Sequence, residues 1–378
     1  MQQYDVAIIG AGLAGLHTAR LLGARGISVL LVDRKDSLAS PVHTTGIFVR
    51  KTWEDFPLPD EQLGAPIRDV FLHSPAGRRI HLAAEQDEFR IGRMQWIYVS
   101  MLEACSRAGV RWLPSSRVVA CRPGSITLVR RDHIQEFPVR FVIGADGARS
   151  LVARQLGLDQ NSDFLVGLEM IAGSRSEPAL HCFLDPRIAP GYIAWVACDG
   201  ETAHVGVAGD RNRFNPASAL ETFRHRVKDL AGGRVIERRG GLIPVNGVLR
   251  RIANDRGLLV GDAAGAVSPL TAGGLDGAMR LSSLAAEVTA AYLERNDASI
   301  LREYDGARFR TRFLARRWMR RLLRVAGNPL MTEIAFAAMM TPPLRAFARH
   351  VFFSRGGSFP EIGTDHLMFA RNHSTNAG

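Results

Sequence analysis

Three aspartates in this chain share one setting. Asp33 ends the apolar run SVLLVD, Asp146 ends FVIGAD, and Asp262 ends GLLVGD. Each carboxylate therefore stands at the carboxyl end of a strand-like stretch. Asp146 and Asp262 lead directly into glycine-rich turns, GARS and AAGAVSPLTAGG. In an open α/β sheet that edge is where ligands bind. A carboxylate there can accept hydrogen bonds from ligand hydroxyls, and a loop without side chains lets a phosphate or a flat ring approach the backbone.

The elements that would position Asp33 are plain. YDVAII, 4 to 9, reads as a buried parallel strand. Gly10-Ala11-Gly12-Leu13-Ala14-Gly15 opens a helix through Leu16, Ala19 and Leu22 that stops near Gly26, and Ser28 to Val32 form a second strand. This is a complete βαβ unit. Gly10 allows the tight turn, Gly12 lets the backbone approach a pyrophosphate, and Gly15 lets the helix pack close on the strand. The helix start offers free N–H groups and partial positive charge to phosphates. Asp33 stands where a ribose hydroxyl would meet it. Both FAD and NAD use such a unit, so it does not choose between them. Further on, VVACRPGSITLVRRDHIQEFPVRFVIGADG, with its Pro-Gly turn, predicts an antiparallel meander crossing the parallel sheet.

The ordered triple GAGLAG, GADGARS and VGDAAGAVSPLTAGG resembles the FAD-dependent oxidoreductases of the glutathione-reductase-like group. That group includes the aromatic hydroxylases, the geranylgeranyl reductases and the flavin halogenases. The resemblance spans roughly residues 1–300 and implies FAD as cofactor. It assigns Asp262, with Gly261, to the ribityl chain. The helix entered through Pro269, Gly273, Gly274 and Leu275 would aim its N–H groups at the flavin. Arg93, ahead of the helix in RIGRMQWIYVSMLEACSRAG, would lie near the cofactor. On the same resemblance Ala14, Arg34, Val119 and Asp146 are expected among the cofactor contacts. A helix N-terminus beside the flavin favours the anionic reduced form.

GDAAG followed by AVSPLTAGGLDGAMR is more similar to the geranylgeranyl reductases, which saturate isoprenoid double bonds, than to the hydroxylases. Tyr192 and Trp195 in APGYIAWVACDGETAHVGVAG resemble the reductases' Tyr-x-Trp substrate motif, with two residues between them instead of one and without the Phe-Pro that follows. Where the reductases often carry Cys-x-Gly after the second strand, this chain has Pro41-Val42-His43-Thr44-Thr45-Gly46. A hydroxyl there could bond a substrate but is not a comparable thiol. His43 could be an acid, a flavin contact or a loop histidine. No Trp-x-Trp occurs and lysine is nearly absent, which argues against halogenation. The expected reaction is reduction of a carbon–carbon double bond in a hydrophobic, prenyl-like substrate. The alternatives are hydroxylation of an aromatic or polyketide compound, and a flavin-holding protein without redox turnover. No second GxGxxG offers a nicotinamide domain, which suits transient NAD(P)H donation under either reaction. No residue is assigned as catalytic acid or base.

The fold class that follows is α/β: a Rossmann-like FAD-binding domain, an antiparallel-sheet substrate domain and a helical C-terminal region. Residues 1–70, 92–160 and 250–300 are expected to form the first, 71–91 and 161–249 the second, and 301–378 the third. FLHSPAGRRIHL reads as a hairpin of the substrate sheet. The chain has 378 residues, 46% of them apolar, enough for two packed domains. Its net charge is +11, with only three lysines, Lys35, Lys51 and Lys228. That sign suits an anionic cofactor or an anionic membrane surface, but no nucleic-acid module is present. Cys105, Cys121, Cys182 and Cys198 form no CxxC or zinc spacing, so no metal and a reduced, cytoplasmic setting are expected. MQQYDVAIIG shows no signal peptide, and no run of 18 apolar residues predicts a membrane span. RFRTRFLARRWMRRLLR, 308 to 324, carries eight arginines. Phe309, Phe313, Met319 and Leu323 share a helical arc there with Arg312, Arg316 and Arg320. It could skim a membrane or cap the cavity. RNHSTNAG, at the end, reads as disordered.

Overall fold

The structure, a computed structural model, describes residues 2–39, 42–310, 313–325 and 327–353. Pro41, Arg312 and the RNHSTNAG tail lie outside the described residues, as does the side chain of Leu323.

Two sheets organise the chain. The first is parallel at its centre. Tyr4–Ile9 lies between Val29–Val32 and the end of His133–Gly144, with Arg111–Leu113 and Gly257–Leu259 outside them. Val6, Ile8, Leu31, Phe141 and Ile143 are wholly buried, as strands covered on both faces require. Helix Leu13–Gly23 packs between this sheet and the long helix Leu275–Arg295. The predicted meander is present, in a more economical form than two separate elements. His133–Gly144 is one strand whose first half pairs antiparallel with Ser125–Arg130 and whose second half joins the parallel sheet. Ser116–Arg122 completes the meander.

The second sheet has seven strands and is antiparallel except where Ala179–Phe183 runs parallel to Asp69–His73. The hairpin Asp69–His73 with Arg79–Ala83 forms one edge, and Val235–Pro244 the other. Phe164–Gly173, Thr202–Asp210 and Ala194–Cys198 lie between. A small ribbon, Ile47–Val49 with Phe89–Ile91, links the two sheets.

The C-terminal helices close one side. Leu314–Val325 is held by Arg324, which reaches Asp163 at 2.9 Å and Asp210 at 3.2 Å. Pro329–Met339 is pinned to the hairpin turn by Glu333, which accepts from the Ala76 N–H at 2.5 Å. In Pro342–Phe353, Arg345 donates to the His81 carbonyl at 2.8 Å. Phe309 and Phe313, whose arc is interrupted by arginines, are buried. Arg320, from the same arc, is also buried, 3.9 Å from Asp163. Its guanidinium nitrogens find no hydrogen-bond partner among the described residues, and hydropathy alone does not reveal that this arginine is buried.

Candidate active site

The glycine loop divides into two kinds of glycine. Gly10 has φ +107°, and a Cβ there would lie 2.2 Å from the Ala145 carbonyl oxygen. A Cβ on Gly15 would lie 1.9 Å from the Gly10 oxygen. These two are packing glycines, binding strand, turn and helix together. Gly12 differs, because nothing lies within 4 Å of the position its Cβ would take. It faces a cavity of about 940 Å³ between the two sheets, at the upper end of ordinary ligand sites.

Asp262 lines that cavity with Gly261, Gly273, Gly274 and Leu275. Its carbonyl accepts from the Asn161 side chain at 2.8 Å. Among the described residues, no donor reaches its carboxylate. Burial without compensation pushes that carboxyl up to about 6. Gly274 precedes helix Leu275–Arg295 without a side-chain cap. The N–H groups of the first turn thus have no intrahelical partner. Tyr98 stands between the loops, its phenol pushed up to about 12 by burial, tied to the Leu13 backbone and near Asp33 and Asp262.

The remaining cofactor candidates are placed unevenly. Ala14 lines the cavity. Asp33 accepts from the Ala11 N–H at 2.7 Å and the Lys35 N–H at 2.8 Å, holding the glycine turn. Asp146 is turned to its own helix, accepting from the Ser150 hydroxyl at 2.5 Å and the Leu151 and Val152 N–H groups at 2.7 and 3.1 Å. Its neighbours Ala145 and Gly147 face the cavity instead. Arg93 is absent from the cavity wall and pairs with Glu201 at 2.9 Å across the two sheets. Arg34 is exposed. The Val119 carbonyl accepts from Gln155 at 2.9 Å at an irregular point of the meander. Pro269 is buried beside Gly247.

All five substrate candidates, His43, Thr44, Thr45, Tyr192 and Trp195, line the cavity. Burial, and then nearby Lys35 and Arg34, lower the His43 imidazole below its ordinary value. Tyr192 is buried, which raises its phenol pKa further, and no hydrogen-bond partner reaches it among the described residues. The wall behind them was not foreseen. Thr45 and Trp195 both donate to Glu169, which is also paired with Arg239 and close to His204. Its signal was a lone acid in the apolar strand FLVGLEMIAG, but its partner depends on sheet register. Cys182 also lines the cavity, opposite Trp195 in register, its thiol pushed up to about 12 by burial. The loop lacks a thiol, and a strand supplies one. Leu72, Leu180, Leu184, Ile243, Phe347 and Phe352 make the rest of that end apolar.

Against known proteins, the sequence model of the family described as FAD binding domain matches residues 3–51 and 122–315. The chain belongs to that family. It is an FAD-dependent oxidoreductase, related to the digeranylgeranylglycerophospholipid reductases. It is 32% identical over 323 residues to digeranylgeranylglycerophospholipid reductase 1 of Methanopyrus kandleri, covering 80% of this chain and 85% of that one. A geranylgeranyl bacteriochlorophyll reductase-like protein of Thermoplasma acidophilum shares the fold at TM-score 0.77 and 22% identity, over 98% of this chain and 96% of that one. The p-nitrophenol 4-monooxygenase of Pseudomonas putida shares it at TM-score 0.66 and 19% identity, over 98% of each.

The residues present fit FAD. The open face of Gly12 leaves room beside the backbone where a diphosphate would sit, and the unpartnered Asp262 carboxylate suits a chain of hydroxyl donors. The uncapped helix start at Gly274 suits an electron-rich ring edge.

Proposed function

We propose that this oxidoreductase reduces a carbon–carbon double bond of a hydrophobic, prenyl-like chain, with NAD(P)H as transient donor. The observation that carries this reading is the apolar end of the cavity, where leucines and phenylalanines dominate and the wall's N–H and O–H donors turn onto Glu169. Bound FAD supplies the hydride chemistry such a reduction needs. The chain's own residues do the rest. Asp262 accepts from the ribityl hydroxyls, and Gly10, Gly12, Gly15 and Asp33 shape the turn that takes the diphosphate. The helix start at Gly273, Gly274 and Leu275 stabilises negative charge on the ring. His43, Thr44, Thr45, Tyr192 and Trp195 form the substrate wall, and the C-terminal helices exclude water.

We assign residues 1–70, 92–160 and 250–300 to cofactor binding and 71–91 and 161–249 to the substrate sheet. The four free, buried cysteines suit a reducing, cytoplasmic compartment, and the basic C-terminal region suits contact with an anionic membrane face. The relatives' names support a lipid substrate. The monooxygenase sharing the fold makes hydroxylation the second reading. The test is a pair of incubations, one anaerobic and one in air, of holoprotein, NADPH and a C20 prenyl lipid, followed by mass spectrometry. Gain of two hydrogens without oxygen supports the reductase. A product carrying one added oxygen, formed only in air, overturns it.

A further inference from the structure

Glu169 lies midway along Phe164–Gly173 and is almost fully buried in the cavity wall. Its oxygens take the donors of three neighbours. Arg239, directly opposite on the next strand, gives Nε–H and Nη2–H to Oε1 at 2.8 and 2.6 Å. The Thr45 hydroxyl and the Trp195 indole N–H, the latter at 3.3 Å, both donate to Oε2. His204 Nδ1 lies 3.3 Å from Oε1 and 3.0 Å from Arg239 Nη2. A carboxylate has about four lone-pair sites, and here they are filled.

Burial alone would raise this carboxyl. The hydrogen bonds and charges of His204, Arg239 and Thr45 outweigh that and hold it near 2. It is ionised and saturated, so it neither gives a proton nor accepts a bond from a ligand. The donors it holds are equally committed, because threonine has one O–H and indole one N–H. The sheet is built for this arrangement. Trp195 lies across Gly206, where a Cβ would come within 2.0 Å of the indole, so only glycine lets the ring reach the next strand. Arg239 also ties down the loop that carries Thr45, through the Val42 carbonyl at 3.3 Å.

Thr45, Trp195, Arg239 and Glu169 all border the cavity, yet their polar atoms face one another. We propose that Glu169 is a positioning residue that sets the cavity's selectivity for hydrocarbon. It withholds the wall's donors, so a chain without acceptors meets no unpaired polar group. The inference rests on the cavity being the substrate site. A buried ion pair of this kind is weak evidence for stability. Holding two donors away from a ligand is something a leucine at 169 could not do.

The test compares two ligands in FAD-loaded protein by competition against a fluorescent prenyl probe: a C20 prenyl hydrocarbon, and the same chain with one mid-chain carbonyl. Removing one partner would strand the other's charge, so the pair is changed together, Glu169→Leu with Arg239→Met. The double variant is expected to lower hydrocarbon affinity about tenfold and raise carbonyl affinity several-fold, at unchanged FAD content. Thr45→Val, which leaves the pair intact, is expected to keep hydrocarbon affinity within about threefold and not to weaken carbonyl binding. Loss of carbonyl binding in Thr45→Val would mean that Thr45 donates to ligand and would overturn the proposal, as would unchanged selectivity in a folded double variant. If unaltered protein binds neither ligand, the substrate reading itself fails, and the proposal with it.

Discussion

Asp262 and Glu169 are carboxylates on the wall of one cavity, and their surroundings push them in opposite directions. Glu169 has the His204 ring, the Arg239 guanidinium and the Thr45 hydroxyl, which outweigh burial and hold it at about 2. Among the described residues no donor reaches the Asp262 carboxylate, and burial raises it to about 6. An acid raised in the folded state binds its proton more tightly there than in the unfolded chain. The folded protein without cofactor therefore loses stability as pH rises from about 4 through 6, and the penalty is fully present above that, on the order of 3 kcal/mol at most. Asp262→Asn should remove it. In thermal melts without FAD the variant is expected to be the more stable at pH 8, with no gain at pH 4. FAD binding should show the reverse. Hydroxyl donors favour the ionised form, so wild-type affinity should weaken as pH falls below 6. The asparagine variant should bind FAD about tenfold to a hundredfold more weakly at pH 8. A variant that melts lower at pH 8 and keeps full FAD affinity would show that Asp262 serves the loop and not the ligand.

Elements explain why some of this could be read from the sequence and some could not. The βαβ unit is local: its turn, helix start and second strand fall within about thirty residues, so each glycine's duty follows from spacing. The same holds for the helix after Gly274 and the hairpin around Ser74 and Gly77. The position of Asp146 at the end of a strand predicts a ligand contact. The Asp146 oxygens are instead engaged by the helix that begins five residues later and by that helix's cap, Ser150. The Glu169 wall joins residues 45, 169, 195, 204 and 239. Those meet only through the register of four strands and the loop that carries Thr45, which no local pattern records. The two kinds of glycine give a direct test. Gly12→Ala should leave melting without FAD within ~0.5 kcal/mol of wild type, because its Cβ enters open space, yet weaken FAD binding at least about tenfold. Gly15→Ala should destabilise by ~1–3 kcal/mol or more even without cofactor, because its Cβ meets the Gly10 carbonyl. Equal effects on stability would overturn that division.

At the scale of the whole molecule, the cavity has to be reached. Phe347 lines it and is also 50% exposed, so the apolar interior is continuous with the surface at the last described helix. On that helix and the one packed on it Leu344, Leu330 and Ile334 are exposed, and earlier in the chain, on Leu314–Val325, so are Leu314 and Trp318. Arg321 lies 5.2 Å over the Trp318 ring, and Glu333 is the one acid between residues 314 and 353. None of the described helices is long and apolar enough to cross a membrane. An apolar rim set among arginines instead matches an interfacial surface, with side chains entering the headgroup boundary and cations drawing on anionic lipid. Vesicles with about a third phosphatidylglycerol should therefore sediment the protein, and neutral phosphatidylcholine vesicles should do so far less. Binding should weaken steeply from low to ~0.5 M salt as the charges are screened. Replacing Trp318 and Ile334 together by serine removes apolar area worth ~2–4 kcal/mol, so affinity should fall at least about thirtyfold while FAD content stays unchanged. Binding that ignores lipid charge, or survives that double substitution, would mean that this face meets something other than a membrane. The prenyl chain proposed as substrate would then have to reach Phe347 by another route.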